Sequence, residues 1–335
     1  MRTVHVIHCF DAGYALPAGV CFQSLLENAR SADAVYALHV VGNLPESDRE
    51  MLRSVVGRFA NATLDFRIPG PLGIPAGALP RKSHYSDALY AKLALPELFP
   101  EIDRAIVADV DVVYQGDIAG ALDAAPEGDG SLLSGVWDLG YAAYHRTGLF
   151  PTGRPFVRRY EREWTHGELD ALRIGAGLVV YDMTALREGG YAGRWLDFIR
   201  ANARRAVLPE QEAYNIVCGD RISLLPLRFM AVAEHAPRYD AMSADERAAN
   251  PAWGEMYANP VQMHYASRVK PWKYPGSARA ELWFAALARA GLVERWRRWY
   301  AEFSRVMVEE SLERRLCDLR LGRMRLRLTK IRKSK

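Results

Sequence analysis

The sequence predicts an α/β fold in which a parallel sheet is followed by a helical, basic C-terminal region. Strand-like runs alternate with helix-like runs over the first 115 residues, which is typical of a parallel sheet. Half of the 335 residues are hydrophobic and a quarter are charged, as in ordinary globular proteins. From residue 280 onward, apolar residues have the spacing of amphipathic helices and lead into a cluster of basic residues.

The predicted elements can be placed along the chain in order. Predicted strands are short runs rich in β-branched or alternating apolar residues, namely 3–10, 34–42, 62–68, 104–114, 131–138 and 175–183. Helical spacing predicts one helix that ends near Leu26 and others at 45–59, 86–99, 190–205 and, as one or two helices, 280–316. The Pro- and Gly-rich segment 69–81 is predicted to be a loop.

Several classes of protein are excluded by features that the sequence lacks. It has no run of 18 or more uncharged apolar residues, so no transmembrane helix is predicted. His5, His8 and Asp11 interrupt the N-terminal apolar run, which we therefore interpret as a first strand rather than a signal peptide. The four cysteines are scattered without CxxC pairing. They argue against a zinc knuckle or disulfide scaffold and predict a reducing, cytoplasmic location.

Charge is distributed unevenly along the chain. The net charge is +4, yet residues 313–335 carry ten Lys and Arg against two acids, so the remainder is mildly acidic. Such a tail suits a solvated segment, a nucleic-acid arm or a peripheral membrane anchor. Leucines interleaved with the basic residues disfavour a purely electrostatic arm, so we expect no nucleic-acid partner, and at least part of the segment could form an interfacial helix.

Two carboxylates one residue apart interrupt the fourth predicted strand. The stretch AIVADVDVVYQGD places Asp109 and Asp111 among apolar residues, where like charges repel and lose water. The pair could be a solvated strand end, or the nucleophile loop of a haloacid-dehalogenase-type phosphatase, which uses one Asp to attack phosphorus. It could also be a Mn²⁺ or Mg²⁺ site for a nucleotide diphosphate. The pair alone leaves all three interpretations open.

A second polar segment near the other end of the chain favours the metal site. The stretch MHYASRVKPWKYP contains His264, Lys270 and Trp272 within nine residues, and its prolines indicate a shaped loop. These residue types supply a third metal ligand, a cation for phosphate and an aromatic wall.

Together these motifs resemble those of the family 8 retaining glycosyltransferases, which include bacterial lipopolysaccharide galactosyl- and glucosyltransferases. The resemblance covers roughly residues 3–275 and includes HCFDAGY, YAKLALPEL, ADVDVVYQGD and HYASRVKPW in the family order. It implies a GT-A-type, Rossmann-like nucleotide-binding domain with a mixed sheet over 1–275. The helical region 276–335, with its basic tail 313–335, would follow this domain.

The resemblance also implies which residues bind the nucleotide sugar. His8, Asp11 and Tyr14 match the uridine-binding segment, with Asp11 bonding uracil and Tyr14 stacking on it. Asp109, Asp111 and His264 would ligate the metal. The remaining implied cofactor-binding residues are Lys92, Val110 and Lys270, of which Lys270 would bind the β-phosphate.

At the sugar end, the resemblance implies catalytic roles for Asp138, Glu210 and Gln211. Asp138, in GVWDLG, stands where an acid of the family commonly holds sugar hydroxyls, and LPEQEAYN matches the segment that lines the reacting centre. The sequence also departs from the family pattern. Lys92 stands where Arg is frequent, Gly175 replaces an Asn, and Glu210 replaces an Asp.

The implied function is retaining transfer of galactose or glucose from a UDP-sugar, with Mn²⁺ or Mg²⁺, to a glycan or glycolipid acceptor. The expected setting is bacterial lipopolysaccharide or surface polysaccharide synthesis in the cytoplasm, with the tail on the anionic inner leaflet. Segment 140–174 is the expected acceptor-side lid. Two alternatives remain, the dehalogenase-type phosphatase and a non-catalytic UDP-sugar-binding protein.

Overall fold

A computed structural model describes residues 2–70, 88–138 and 154–320. A seven-stranded sheet has the strand order β3-β2-β1-β4-β7-β6-β8. Its members are β1 Arg2–Cys9, β2 Ala34–Val41, β3 Ala62–Arg67, β4 Arg104–Ala108, β6 Leu133–Trp137, β7 Ile174–Asp182 and β8 Ile222–Leu225. The first four strands pair in parallel, whereas β7 is antiparallel to both β4 and β6. The mixed sheet implied by the family resemblance is thus confirmed.

A second, three-stranded sheet lies beside the acidic pair. It contains β5 Val112–Tyr114, β9 Ala231–Val232 and β10 Gln262–His264, in the order β5-β10-β9. The single strand predicted over 104–114 is therefore wrong, because the chain leaves the large sheet after Ala108 and enters the small sheet at Val112. The two aspartates occupy the break, where their carboxylates can leave the apolar layers.

Fifteen α-helices lie within the described ranges. They are α1 Ala15–Glu27, α2 Glu46–Val56, α3 Ala88–Ala91, α4 Leu95–Leu98, α5 Gly120–Ala124, α6 Arg154–Glu163, α7 His166–Asp170, α8 Met183–Glu188, α9 Tyr191–Asn202, α10 Pro209–Cys218, α11 Ala236–Ala241, α12 Ala244–Ala249, α13 Pro251–Tyr257, α14 Ala280–Arg289 and α15 Val293–Arg320.

The helix predicted over 86–99 is not continuous. Its described part consists of α3, a 3₁₀ turn at Lys92–Ala94, and α4, which has Pro96 in its first turn. Proline cannot donate a helical hydrogen bond, so the helix restarts at this point. Most of the predicted loop 69–81 lies outside the described residues, as does the first part of segment 140–174. The described part of 140–174 contains α6, α7 and the start of β7.

Buried helices support the strands that lead to the site. Helix α1 is buried along nearly its whole length and packs against α2, α14 and β5. Within α1, the hydroxyl oxygen of Ser24 accepts a hydrogen bond from the backbone N–H of Tyr114, 3.0 Å away. This bond satisfies a backbone donor at the end of β5 and fixes the small sheet to the helix layer.

The contacts between residues divide the chain into two compact units, Met1–Leu292 and Val293–Lys335. Helix α14 belongs to the first unit and α15 to the second. In the described part of the chain, no helix has both the length and the apolar character needed to cross a membrane. The tail predicted to bind membranes falls largely outside this part, since only the helical backbone is described for 311–320.

Candidate active site

The acidic pair forms a tight crossing between the two sheets. The backbone N–H of Asp109 donates to the carbonyl of Gly177 in β7, at 3.0 Å. The carbonyl of Asp111 accepts from the backbone N–H of Tyr265, which follows β10, at 2.9 Å. Val110, predicted to bind the cofactor, is buried between them. Both aspartates are therefore held by backbone bonds to strands on opposite sides.

Three candidate metal ligands converge at this crossing. The His264 Nε2 atom lies 3.2 Å from Asp111 Oδ1 and 3.6 Å from Asp109 Oδ2. One ligand atom from each of the three residues lies within 4.8 Å of the other two. Carboxylate oxygens with one imidazole suit Mn²⁺ or Mg²⁺, so the residues that the sequence singled out have a donor set that fits the implied cation.

A buried lysine binds the other oxygen of Asp109. The Lys92 ammonium lies 2.6 Å from Asp109 Oδ1, 3.2 Å from the Ala176 carbonyl and 3.3 Å from Glu210 Oε1. Burial of Lys92 acts to lower its pKa, but the charges of Asp109 and Glu210 outweigh burial and raise it. Lys92 is therefore a permanent cation between the predicted metal ligands and the predicted sugar end.

A second lysine plays the same part for Asp111. The Lys270 ammonium lies 2.5 Å from Asp111 Oδ2 and 2.5 Å from the Tyr265 carbonyl. Burial acts to raise the pKa of Asp111, but Lys270 and His264 together hold it well below its usual range. Each aspartate thus has one oxygen on a lysine and one facing His264.

The predicted catalytic pair stands at the start of α10. Burial raises the pKa of Glu210 to about 7, against the opposing charge of Lys92. Gln211 is buried, and among the described residues its amide Nε2 has no hydrogen-bond partner. Such a buried donor can bond a substrate oxygen. The structure therefore brings both residues to the same region as Lys92, although their catalytic roles remain a prediction.

A buried asparagine fixes this helix to the large sheet. The Asn215 side-chain oxygen accepts from the backbone N–H groups of Arg173 and Ile174, at 2.7 and 2.9 Å. Its nitrogen donates to the carbonyls of Ile174 and Gln211, at 2.8 and 2.7 Å. All four hydrogen-bonding positions of the amide are used, so the start of α10 is held against the start of β7.

The residues predicted to bind uridine differ in their placement. His8 is completely buried, and its Nδ1 lies 2.8 Å from the carbonyl of Ala108, the residue before Asp109. Burial lowers the pKa of His8 to about 4, so the ring is neutral at physiological pH. It contacts the end of β4 and has no surface exposed for a nucleotide. The part of His8 in uridine binding remains a prediction.

Asp11 and Tyr14 occupy the 3₁₀ turn after β1. Asp11 Oδ1 accepts from the backbone N–H of Gly13 at 2.9 Å and caps the turn. The Tyr14 ring packs edge-on against Trp272 with ring centroids 5.8 Å apart. The two sequence-distant motifs expected to hold the nucleotide therefore meet. The proposed contacts of Asp11 and Tyr14 with uracil remain predictions.

Asp138 is buried directly after β6, and its backbone N–H donates to the Arg173 carbonyl at 2.8 Å. This places it beside the start of β7, while its contact with a donor sugar remains a prediction.

Asp117, the third acid of the ADVDVVYQGD motif, binds the Tyr36 and Ser31 hydroxyls at 2.6 and 2.7 Å. It therefore fixes β2 to the end of β5.

Two site residues were missed by sequence reasoning, Met230 and Gly177. The Met230 sulfur lies 3.2 Å from His264 Nδ1. A Cβ added to Gly177 would lie only 2.8 Å from the same imidazole. Glycine inside a strand can indicate such a close approach, so Gly177 carried a usable signal. Met230 carried no such signal, because the sequence pattern of a single methionine is that of an ordinary core residue.

A family model and a known bacterial protein both match most of the chain. The family model described as "Glycosyl transferase family 8" matches residues 5–276. General stress protein A of Bacillus subtilis (strain 168) is 23% identical over 278 residues, which cover 80% of this chain and 87% of that protein.

Solved structures of glycosyltransferases share the fold. The bifunctional glycosyltransferase WbbM has a TM-score of 0.67 at 19% identity, over 89% of this chain and 51% of that one. This chain therefore spans about half the length of WbbM. The galactosyltransferase LgtC, in complex with donor and acceptor sugar analogs, has a TM-score of 0.61 at 19% identity, over 88% and 99% of the two chains.

The fold is thus that of the GT-A glycosyltransferases, as predicted from the family resemblance. The family model covers the acidic crossing, both lysines and the histidine that meets them. The chain belongs to glycosyl transferase family 8.

Proposed function

We propose that this glycosyltransferase moves galactose or glucose from a UDP-sugar to a glycan or glycolipid acceptor with retention at the anomeric carbon. The observation that carries the proposal is the convergence of Asp109, Asp111 and His264 between two buried lysines. A nucleotide diphosphate leaving group gains negative charge as the sugar departs. A site that holds one divalent cation and two ammonium groups matches that charge.

The residues present would hold Mn²⁺ or Mg²⁺ through Asp109, Asp111 and His264. When bound, the cation would supply Lewis-acid stabilisation of the leaving diphosphate. Lys270 and Lys92 can exchange their aspartate contacts for phosphate or sugar oxygens, because each ammonium has three donors. These lysines would orient the diphosphate and keep its charge balanced in a site from which water is largely excluded.

At the sugar end, the free amide donor of Gln211 would bind a donor or acceptor hydroxyl. An amide is a poor nucleophile, so a double displacement through Gln211 is disfavoured. We therefore propose a front-face route in which the leaving phosphate oxygen accepts the proton of the acceptor hydroxyl. Glu210 would bind sugar hydroxyls beside Lys92, and Asp138 would do so from the end of β6.

The acceptor is proposed from the bacterial setting of the resemblance, as part of lipopolysaccharide or another surface polysaccharide. The structure of LgtC with donor and acceptor sugar analogs supports a site of this fold that holds two sugars. We further propose peripheral association with the anionic inner leaflet through residues 313–335, and no nucleic-acid partner.

Membership of family 8 removes the support for a dehalogenase-type phosphatase. The alternative of a UDP-sugar-binding protein without turnover rests on the departures at Gly175, Lys92 and Glu210. It differs from the proposal in a single measurable respect, which is release of UDP.

A panel of UDP-sugars, scored for UDP release with Mn²⁺, with Mg²⁺ and with EDTA, tests the proposal. We expect release from UDP-galactose or UDP-glucose that requires the cation. Asp111→Asn should reduce it to below about 1% of wild type, because the carboxylate is a ligand while the amide oxygen can still accept from Lys270. Asp197→Asn, at an exposed acid in α9, is the control.

Full activity in Asp111→Asn would contradict the metal site. UDP binding without release of UDP from any donor, in the presence of an acceptor panel, would favour the non-catalytic alternative.

A further inference from the structure

The two ring nitrogens of His264 face different kinds of partner. Nε2 faces the carboxylates of Asp109 and Asp111, whereas Nδ1 faces the sulfur of Met230 at 3.2 Å. Both His264 and Met230 are buried, with 8% and 6% of their surface exposed. Little water can therefore replace the sulfur as the partner of Nδ1.

Strand pairing brings the sulfur to the imidazole. Met230 directly precedes β9, and β9 pairs in parallel with β10, with His264 opposite Val232. Gln262, on the same face of β10 as His264, directs its Nε2 toward the same sulfur at 3.8 Å. The sulfur thus lies near two side-chain nitrogens from one strand.

Gly177 closes the remaining side of this arrangement. A Cβ there would lie 2.8 Å from His264 Cε1, 2.9 Å from Nδ1 and 3.0 Å from the Met230 sulfur. The imidazole and the thioether therefore pack directly on the backbone of β7, which leaves little room for the ring to rotate.

We propose that Met230 is a positioning residue that selects the metal-binding tautomer of His264. A thioether has lone pairs and no proton to donate, so the nitrogen that it contacts is the one that carries hydrogen. When a cation displaces the proton on the other ring nitrogen, the lone pair is left on Nε2, the atom that faces the two carboxylates. A partner on the second ring nitrogen is the usual way in which a metal-binding histidine is fixed. The inference rests on the metal site of the proposed function.

Titration of Mn²⁺ into the full-length protein, followed by the EPR signal of free Mn²⁺, tests this role without measuring activity. Met230→Leu keeps the volume and removes the acceptor, so we expect the Kd for Mn²⁺ to rise by about tenfold. Met230→Gln restores an acceptor oxygen and should recover most of the lost affinity. Met51→Leu makes the same change at a buried methionine of α2 and should leave the Kd unchanged.

The possible results separate this inference from the proposed function. Unchanged Mn²⁺ affinity in Met230→Leu, or an equal loss in Met51→Leu, would overturn the role of Met230 alone. No Mn²⁺ binding by the wild-type protein would overturn the metal site and this inference together. Circular dichroism melting of each variant shows whether the fold is kept.

Discussion

At the scale of single residues, the two lysines explain how the acidic pair can exist in a largely buried site. The family resemblance implied that Lys92 and Lys270 bind the nucleotide sugar, with Lys270 on its β-phosphate. In the structure each lysine binds one of the aspartates directly. The lysines therefore compensate the carboxylates, and under the proposed function donor binding would exchange one set of ion pairs for another.

Gly177 should be the least replaceable small residue of the site. Gly177→Ala would place a methyl group against His264 and Met230, and overpacking of this kind typically costs about 1–3 kcal/mol. We expect a lower melting temperature, and a Kd for Mn²⁺ raised by about tenfold because the imidazole must move. Calorimetric melting and Mn²⁺ titration measure the two effects.

Gly175 is the matched control on the same strand. Among the residues that the structure describes, a Cβ there would meet only Gln211 Oε1, at an ordinary 3.8 Å. Gly175→Ala should therefore keep both the melting temperature and the Mn²⁺ affinity. Equal behaviour of the two alanine variants would show that the space beside His264 is not limiting.

At the scale of elements, the local pattern predicted the first half of the fold well. The predicted bounds lie within a few residues of the observed ones for strands β1, β2 and β3 and helices α1 and α2. The spacing of apolar residues and the residues at helix ends are local signals, so they can be recognised in the sequence alone. The split between β4 and β5 was missed, since it depends on pairing with β7 and β10. The antiparallel direction of β7 is likewise decided by tertiary packing.

The N-terminal cap of helix α7 should make the stability of the fold depend on pH. Thr165 and Glu168 form a capping box, and Arg205 also donates to the Glu168 carboxylate. The Arg205 bond is the main reason that the pKa of Glu168 falls to about 2. A depressed carboxyl pKa stabilises the fold above the unfolded pKa near 4.5, and this stabilisation is lost as the pH falls toward 2.

We expect Glu168→Gln to lower the free energy of unfolding by about 1–2 kcal/mol at pH 7, and by less at pH 3.5. Urea denaturation at the two pH values measures the difference. Glu246 occupies the same place in the capping box of α12, and no arginine in the described ranges hydrogen-bonds to it. Glu246→Gln should therefore have a smaller effect with a weaker pH dependence. A Glu168→Gln effect that does not change with pH would contradict the ionic explanation.

At the scale of the whole molecule, the part of the candidate site that lies in family motifs was predictable from the sequence. The convergence of Asp109, Asp111 and His264 was implied by motifs that the structure brings together across more than 150 residues, while their role as metal ligands remains a prediction. The indirect placement of His8 and the contact of Met230 were not predictable, because burial and strand pairing decide them. Family motifs indicate which chemistry to expect, whereas the supporting contacts become visible only in the structure.

The second unit supplies the prediction on membrane binding. In α15, Trp296 stacks on Tyr300 and Trp299 on Phe303, with ring centroids 5.1 and 5.2 Å apart. Val306 and Met307 are exposed further along the helix. Aromatic and aliphatic side chains next to a basic segment are typical of helices that lie in a membrane interface.

We expect the full chain to float with anionic liposomes at low salt and a chain that ends at residue 312 to float much less. Each basic residue near an anionic surface contributes about 1 kcal/mol. Liposomes without anionic lipid are the control. Equal flotation of both chains would show that the tail is not the anchor.

The crossing of the chain from β4 to β5 also bears on how the molecule responds to its ligands. Asp109 follows a strand of the large sheet and His264 ends a strand of the small sheet, whose members are only two or three residues long. A cation bound between them would act as a cross-link that joins the two sheets. The small sheet would then be more rigid when the cation and the donor are bound. Its local stability would therefore depend on how fully the donor site is occupied.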